Sequence, residues 1–382
     1  MKKILLTISI YLVSAFTTIA LSDETLKNES AFGFNASYIG DNVVNMSGGI
    51  KKGYNYLGMA NLRLTLDIEK AGFWKGAKFY INAANTHGGT PSANLFGDNQ
   101  VISNIEAGNH TFLQEVLFQQ TIGKVDISAG LQDLNVQFAN TESGSVYLNS
   151  SFGILPVISA NTSAPIFPLT SFGLTVKWNI SKKTSWINAL YDGSPTDFSS
   201  NPYNLHWHFH SGDGILAISE LHHLTELFGQ PGIYKLGLFT LNHFVENTFI
   251  KPVPDSINIP VNGIFTHTDQ KLWQRGKRSL SVFSQLGYSP SKGNVNNYCL
   301  GLGLNLTGAL NSEGRDIIGL AMAHEHFTNG LLSETAIELT YRYQITDCLY
   351  IQPDLQYIIN PAGTGSTINN CLAGCCRFGI TL

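Results

Sequence analysis

The chain has 382 residues, of which 43% are hydrophobic and only 13% are charged, and its formal net charge at pH 7 is −4. This low charge excludes a solvated disordered chain, which needs a high net charge and few apolar residues. The 23 Lys and Arg residues do not outnumber the 27 Asp and Glu residues, so the chain also lacks the basic excess of a nucleic-acid-binding protein.

Residues 1–22 have the pattern of a secretory signal peptide. Two lysines follow the first Met, residues 4–16 are mostly apolar, and Ala20 and Ser22 are small residues at the spacing that signal peptidase reads. An uncleaved membrane anchor is the alternative, but the apolar run is short and interrupted. We therefore predict an exported protein whose single domain covers residues 23–382.

Alternation of apolar and polar residues is the dominant pattern after the signal. Between residues 54 and 68, most even positions are apolar, whereas the odd positions from 61 to 69 include Arg63, Asp67 and Glu69. Successive side chains of a strand point to opposite faces, so this segment has one apolar and one polar face. The same alternation returns at residues 172–180, 300–306, 337–345 and 372–382. Because no long segment shows a helical period, the chain is predicted to be all-β.

The connections between these segments are of two kinds. Short turns are predicted at 70–76, 122–124, 181–184, 275–278 and 346–348, and long loops at 88–110, 139–169, 192–213 and 244–261. Short turns at one end and long loops at the other are typical of outer-membrane barrels, whose strand number is even. The clearly alternating segments give 15 strands, so an even number requires one more strand, at residues 262–273, where the alternation is weak. We predict a transmembrane antiparallel β-barrel of about 16 strands, with short periplasmic turns and long extracellular loops.

The two faces of such a barrel meet different surroundings. A barrel of this width is too wide for side chains to fill, so the polar face is predicted to line water and the apolar face to meet lipid. An aromatic girdle is predicted from Tyr54, Tyr56, Trp178, Tyr343, Tyr357 and Phe378. The five cysteines form no CxxC pair, so they are interpreted as small apolar wall residues and not as a metal site.

Short motifs follow one another along most of the chain. They are GDNQVISNIEA at 97–107, QDLN at 132–135, NSSFG at 149–153, PLTSFG at 168–173, YDG at 191–193, GDG at 212–214, PGIYKLG at 231–237 and QPDLQYIINP at 352–361. In this order they resemble the carbohydrate-selective porins of the OprB family. The resemblance implies a single-domain outer-membrane barrel that lets small sugars diffuse passively into the periplasm.

A sugar pore needs hydrogen-bonding side chains that replace the water around a sugar, and it needs no nucleophile. The candidates for the substrate pathway are Arg63, Asp67, Glu69, Asp98, Asn104, Glu106, Glu338 and Arg342. Glu338 and Arg342 are expected across the barrel from the first three. The residues of the 88–110 loop join them if that loop folds inward as a constriction. For each residue the alternative is a solvated charge of the wall or of a loop.

Three other functions remain open at this stage. They are a general diffusion porin, a barrel-based enzyme such as a phospholipase, and a soluble secreted β-protein that binds carbohydrate. His206, His208 and His210 alternate, but they lie in a predicted loop without a neighbouring Cys, so no metal is predicted. No cofactor is predicted either. The predicted partners are small carbohydrates, outer-membrane lipids and, by analogy, two further copies in a trimer.

Overall fold

A computed structural model describes residues 30–207, 214–242, 260–328 and 330–382. Within these ranges, 16 antiparallel strands form one closed barrel in which each strand pairs with its neighbours in sequence, and β1 pairs with β16. This confirms the predicted fold class and strand number. The weakly patterned strand proposed at residues 262–273 is present as β10. The predicted signal peptide and the residues His208 and His210 lie outside the described residues.

The strands follow one another with few helical turns between them. They are β1 Phe32–Gly49, β2 Gly53–Asp67, β3 Ala77–Gly88, β4 His110–Ile122, β5 Val125–Gln132, β6 Ser171–Trp178, β7 Thr184–Asp192, β8 Ile215–Leu227, β9 Gln230–Leu241, β10 Val261–Arg275, β11 Arg278–Tyr288, β12 Asn296–Thr307, β13 Asp316–Phe327, β14 Glu334–Thr346, β15 Leu349–Ile359 and β16 Asn369–Thr381. The helical pieces are a π-turn at Ser92–Phe96, helix α1 at Pro156–Ser159, and 3₁₀ turns at Leu134–Val136, Gly144–Val146, Ser150–Phe152 and Pro361–Gly363. Among the described residues, none of the helices is both long and apolar enough to cross a membrane.

The predicted division into two faces is clear along β14. Ile337 and Leu339 point outward and are 36% and 47% exposed, whereas Ala336 and Glu338 point inward and are fully buried. Because side chains alternate across a strand, one continuous apolar surface covers the outside of the wall. This is the surface that a bilayer requires, and closure of the barrel leaves no unpaired strand edge.

Short turns and long loops lie at opposite ends of the barrel, as predicted. At the end that we call the short-turn end, β8 and β9 are joined by Phe228 and Gly229, both with positive φ. Two such residues form the type I′ turn, whose twist matches that of a β-hairpin. Strands β3, β5, β7 and β9, which precede the long connections, terminate at the other end of the barrel, which we call the long-loop end.

Two of these connections fold back into the barrel. We call residues 89–109 inner loop 1 and residues 133–170 inner loop 2. In one apolar cluster Ile105 and Phe152 of the loops pack with Val43 of the wall, and in a second cluster Leu155 packs with Phe265. Full burial of such a side chain contributes about 1.5–3 kcal/mol. The hydrophobic core therefore lies inside the barrel, which corrects the expectation that the whole inward face lines water.

Candidate substrate pathway

An open cavity of about 2280 Å³ runs along one side of the barrel interior. Its wall side is formed by residues of β1 to β9, and its other side is formed mainly by the two inner loops. Among the strand residues of β10 to β15, only Phe327 takes part in the lining. The inner loops cover that sector of the wall, so the open passage lies on the β1–β9 side.

Inner loop 1 is anchored to the wall through its backbone. The amide N–H groups of Asn99 and Gln100 each donate to one oxygen of the Glu334 carboxylate at 2.9 Å. The Asn99 side chain donates to Glu325 at 3.0 Å, and the Gln356 side chain donates to the carbonyl of Ile102 at 2.8 Å. A loop without a regular ladder has to satisfy its buried amides elsewhere, and the side-chain oxygens of Glu334 do so here.

Inner loop 2 is held in the same way at three places. Glu338 accepts the N–H of Leu148 at 2.6 Å and that of Asn149 at 3.0 Å. Asp269 accepts the successive N–H groups of residues 142 and 143 at 3.0 and 2.9 Å. Glu220 accepts the N–H of residue 139 at 2.8 Å. Buried wall carboxylates therefore determine where both loops lie.

A buried ion pair joins the barrel seam to inner loop 1. Arg377 of β16 donates from Nε and Nη2 to the two oxygens of Asp41 on β1, at 2.7 and 2.8 Å. The same Nη2 donates to Oδ1 of Asn104 at 2.8 Å, and Ser103 donates to Asp41 at 2.6 Å. One guanidinium thus links the first strand, the last strand and the loop.

Five of the sequence-predicted pathway residues line the cavity together. Arg63 and Asp67 do so from β2, and Asp98, Asn104 and Glu106 do so from inner loop 1. The loop at 88–110 does fold inward, which was the condition for including its residues. The Nε atom of Arg63 is buried and has no hydrogen-bond partner within the described chain.

The other three predicted residues do not line the cavity. Glu69 lies beyond the end of β2, where its Oε2 accepts the N–H of Gly76 at 3.0 Å. Glu338 is covered by inner loop 2, and the guanidinium of Arg342 lies 3.9 Å from the centre of the Tyr350 ring. Their strand, β14, is four strands from β2 around the seam and not opposite it. Alternation identifies the inward face but not which parts of that face a distant loop covers.

Several lining residues were missed as site residues. Tyr80 and Asn82 on β3 and Gln114 and Glu115 on β4 line the wall side of the cavity. The alternation within β3 would have placed Tyr80 and Asn82 on the inward face with Lys78. The pairing of β3 with β4 contains a bulge between Asn82 and the next residue. The bulge changes which positions of β4 face inward, so simple alternation does not identify the lining residues of β4. The described residues contain no group of three potential metal ligands.

Two carboxyl groups of inner loop 1 have raised pKa values. Burial raises the pKa of Asp98 to about 6. Burial and then the negative charge of Asp98 raise the pKa of Glu106 to about 7. Both groups surround Ser92, whose N–H lies 3.2 Å from Glu106 and whose hydroxyl lies 3.4 Å from Asp98. Burial thus favours the neutral form of both carboxyl groups in the docked loop.

The docking of inner loop 1 is therefore expected to weaken as the pH rises. A carboxyl whose pKa is raised on docking stabilises the docked state fully below its ordinary pKa, and this contribution is lost as pH rises through about 6 to 7. Hydrogen exchange at the amides of Ser92 and Ile102 should show lower protection at pH 8 than at pH 5.5. Glu106→Gln should reduce this difference, and equal protection at both pH values would contradict the assignment.

Comparisons with known proteins agree with this architecture. Residues 51–382 match the family model described as carbohydrate-selective porin, OprB family. Porin B of Pseudomonas aeruginosa is 23% identical over 412 residues, covering 91% of this chain and 87% of that protein. The high-pH structure of Pseudomonas putida OprB has a TM-score of 0.81 at 20% identity and covers 92% of this chain and 94% of that chain. The low-pH structure of Pseudomonas putida OprB has a TM-score of 0.61 at 19% identity, covering 92% and 93%.

The structural likenesses establish the shared 16-stranded fold, and the family model extends from the β1–β2 connection to the last residue. The match includes inner loops 1 and 2, which define the cavity. On this evidence the chain belongs to the OprB family of carbohydrate-selective porins, proteins of the outer membrane.

Proposed function

We propose that the chain is a passive channel through which small carbohydrates cross the outer membrane, along the cavity between β1–β9 and the inner loops. The observation that carries this proposal is the composition of that cavity. Its wall and loop sides both present amides and hydroxyls, among them Asn82, Gln114, Asn135, Asn140 and Ser150. A sugar that enters can replace its hydrogen bonds to water with hydrogen bonds to these groups, and it is still bound weakly enough to leave.

Aromatic and charged side chains add selectivity to this lining. Tyr80 and Phe167 line the cavity, and an aromatic ring can pack against the apolar CH face of a pyranose. We propose that Arg63, Asp98 and Asn104 bind sugar hydroxyls during passage, and that Asp67 and Glu106 contribute to the same path. Diffusion through such a path requires no nucleophile and no general base.

The orientation and maturation of the protein follow the same proposal. Removal of residues 1–22 on export would leave residues 23–382 as the barrel. The short-turn end would face the periplasm and the long-loop end the cell exterior, as in other outer-membrane barrels. A homo-oligomer, trimeric by analogy, is also proposed, and its mass in detergent measured by native mass spectrometry tests it.

Solute uptake into liposomes containing the purified protein tests the function. Glucose is expected to enter faster than an amino acid of similar size, because the lining offers hydrogen bonds that suit several hydroxyls at once. Equal uptake rates for the two solutes would indicate a general diffusion porin without sugar selectivity. An absence of uptake for both solutes would reject a pore, and hydrolysis of the liposome lipid would favour an enzyme.

A further inference from the structure

Five lysines line the cavity at its short-turn end. Lys70 lies in the β2–β3 turn, and we call the other four the lysine rim: Lys78, Lys177, Lys182 and Lys183. Lys78 lies near the start of β3 and Lys177 near the end of β6, whereas the other two lie in the β6–β7 turn. In the described part of the chain none of the four makes an ion pair with a carboxylate.

Two aspartates line the same end, and each faces one strand lysine. Asp67 is in register with Lys78, and Asp126 is in register with Lys177. Asp126 already accepts hydrogen bonds from the Thr121 hydroxyl at 2.7 Å and from the Asn179 amide at 3.0 Å. These two pairs balance in charge, but no carboxylate lies in register with the two turn lysines, so the rim keeps a positive excess.

The β6–β7 turn that presents these lysines is well fixed. The hydroxyl of Ser181 accepts the N–H groups of Lys183 and Thr184, each at 3.1 Å. The carbonyl of Lys183 accepts the N–H of Leu224 from β8 at 2.7 Å. The two ammonium groups are therefore carried by a defined turn at the end of the passage and not by a free loop.

Negative charge farther inside the cavity is partly neutralised. Burial raises the pKa of Asp98 and Asp133 to about 6 and that of Glu106 to about 7. Near pH 7 a fraction of these groups is protonated. The balance along the passage therefore shifts further toward positive charge.

We propose that the channel is anion-selective, that its substrates include sugars carrying a negative charge, and that the lysine rim selects them. This inference rests on the proposed function and specifies its substrate class. Rings of Lys or Arg select anions in other pores, and a cleft lined by one sign of charge raises the local concentration of the opposite ion. Because the turn lysines are exposed, they attract an anion without trapping it.

Ion selectivity in planar bilayers tests the rim directly. In a tenfold KCl gradient the reversal potential should give a chloride permeability greater than that of potassium. In dilute salt, Lys182→Gln/Lys183→Gln should lower the chloride-to-potassium permeability ratio about threefold, because these charges are screened little there. The matched control is Lys271→Gln/Lys277→Gln, which removes the same charge near the same end but outside the cavity lining.

Solute uptake separates this inference from the proposed function. At low salt gluconate should enter liposomes faster than glucose, and glucose faster than protonated glucosamine, and molar salt should reduce these differences. If the channel conducts but prefers potassium, or if the rim and control variants behave alike, the anion inference is wrong and the sugar channel stands. If neither ions nor sugars pass, the proposed function itself fails.

Discussion

Replacement of Glu338 by Ala is expected to raise the single-channel conductance by about twofold or more, because the carboxylate holds inner loop 2 against the wall. Its two oxygens accept the N–H groups of Leu148 and Asn149 at 2.6 and 3.0 Å, and the side chain is fully buried. Each buried N–H left without a partner costs about 1–3 kcal/mol. The loop segment should therefore leave the wall, and sugar selectivity should fall as the passage widens.

Two variants separate the anchoring role of Glu338 from a general loss of stability. Glu338→Gln keeps one side-chain oxygen as an acceptor, so its conductance should lie between wild type and Glu338→Ala. Asp316 is also fully buried and accepts two backbone N–H groups, those of Leu310 and Asn311, but these belong to the short turn between β12 and β13. Asp316→Ala should reduce stability without raising conductance. An unchanged conductance in folded Glu338→Ala would contradict the role of this anchor.

Arg377→Met is expected to destabilise the barrel by about 3–5 kcal/mol, because it leaves the Asp41 carboxylate buried without its cation. Asp41 is fully buried, and among the described residues only the Ser103 hydroxyl would remain as its hydrogen-bond donor. The lost contacts lie at the seam between β1 and β16 and include the bond to Asn104. Denaturant unfolding in detergent, followed by the gel mobility of the folded barrel, measures the change.

Two comparisons identify the cause of this loss. Asp41→Leu/Arg377→Met removes both charges and should recover much of the stability, since buried pairs can be replaced by apolar residues at little cost. Lys277→Ala breaks the pair between Lys277 and Glu313, in which both side chains are about two-thirds exposed, and should change the stability little because solvent screens the pair. If Arg377→Met is as mild as Lys277→Ala, the seam pair does not stabilise closure.

Alternation and topology were sufficient to predict the barrel. The even strand number identified β10, although residues 262–273 carry little pattern of their own. The alternation of apolar and polar residues along β14 correctly placed Glu338 on the inward face. These features are local or follow from closure of the sheet, so a single sequence contains them.

The position of the inner loops could not be predicted in the same way. Inner loop 2 has no periodicity, and its anchor joins Leu148 to Glu338, which is 190 residues away in sequence. For this reason Glu338 and Arg342 were assigned to a pathway from which the loop separates them. Glu69 was assigned there because alternation continues past Asp67, where the turn to β3 has already begun.

Glucose uptake by liposomes containing Arg63→Ala or Arg342→Ala tests most directly where sugars pass. Both arginines lie on inward rows of the wall, but only Arg63 lines the cavity, whereas Arg342 lies against Tyr350. We predict that Arg63→Ala lowers glucose uptake severalfold relative to an amino acid of similar size, and that Arg342→Ala leaves this ratio close to wild type. Equal effects of the two substitutions, or a larger effect of Arg342→Ala, would contradict a sugar path along β1–β9.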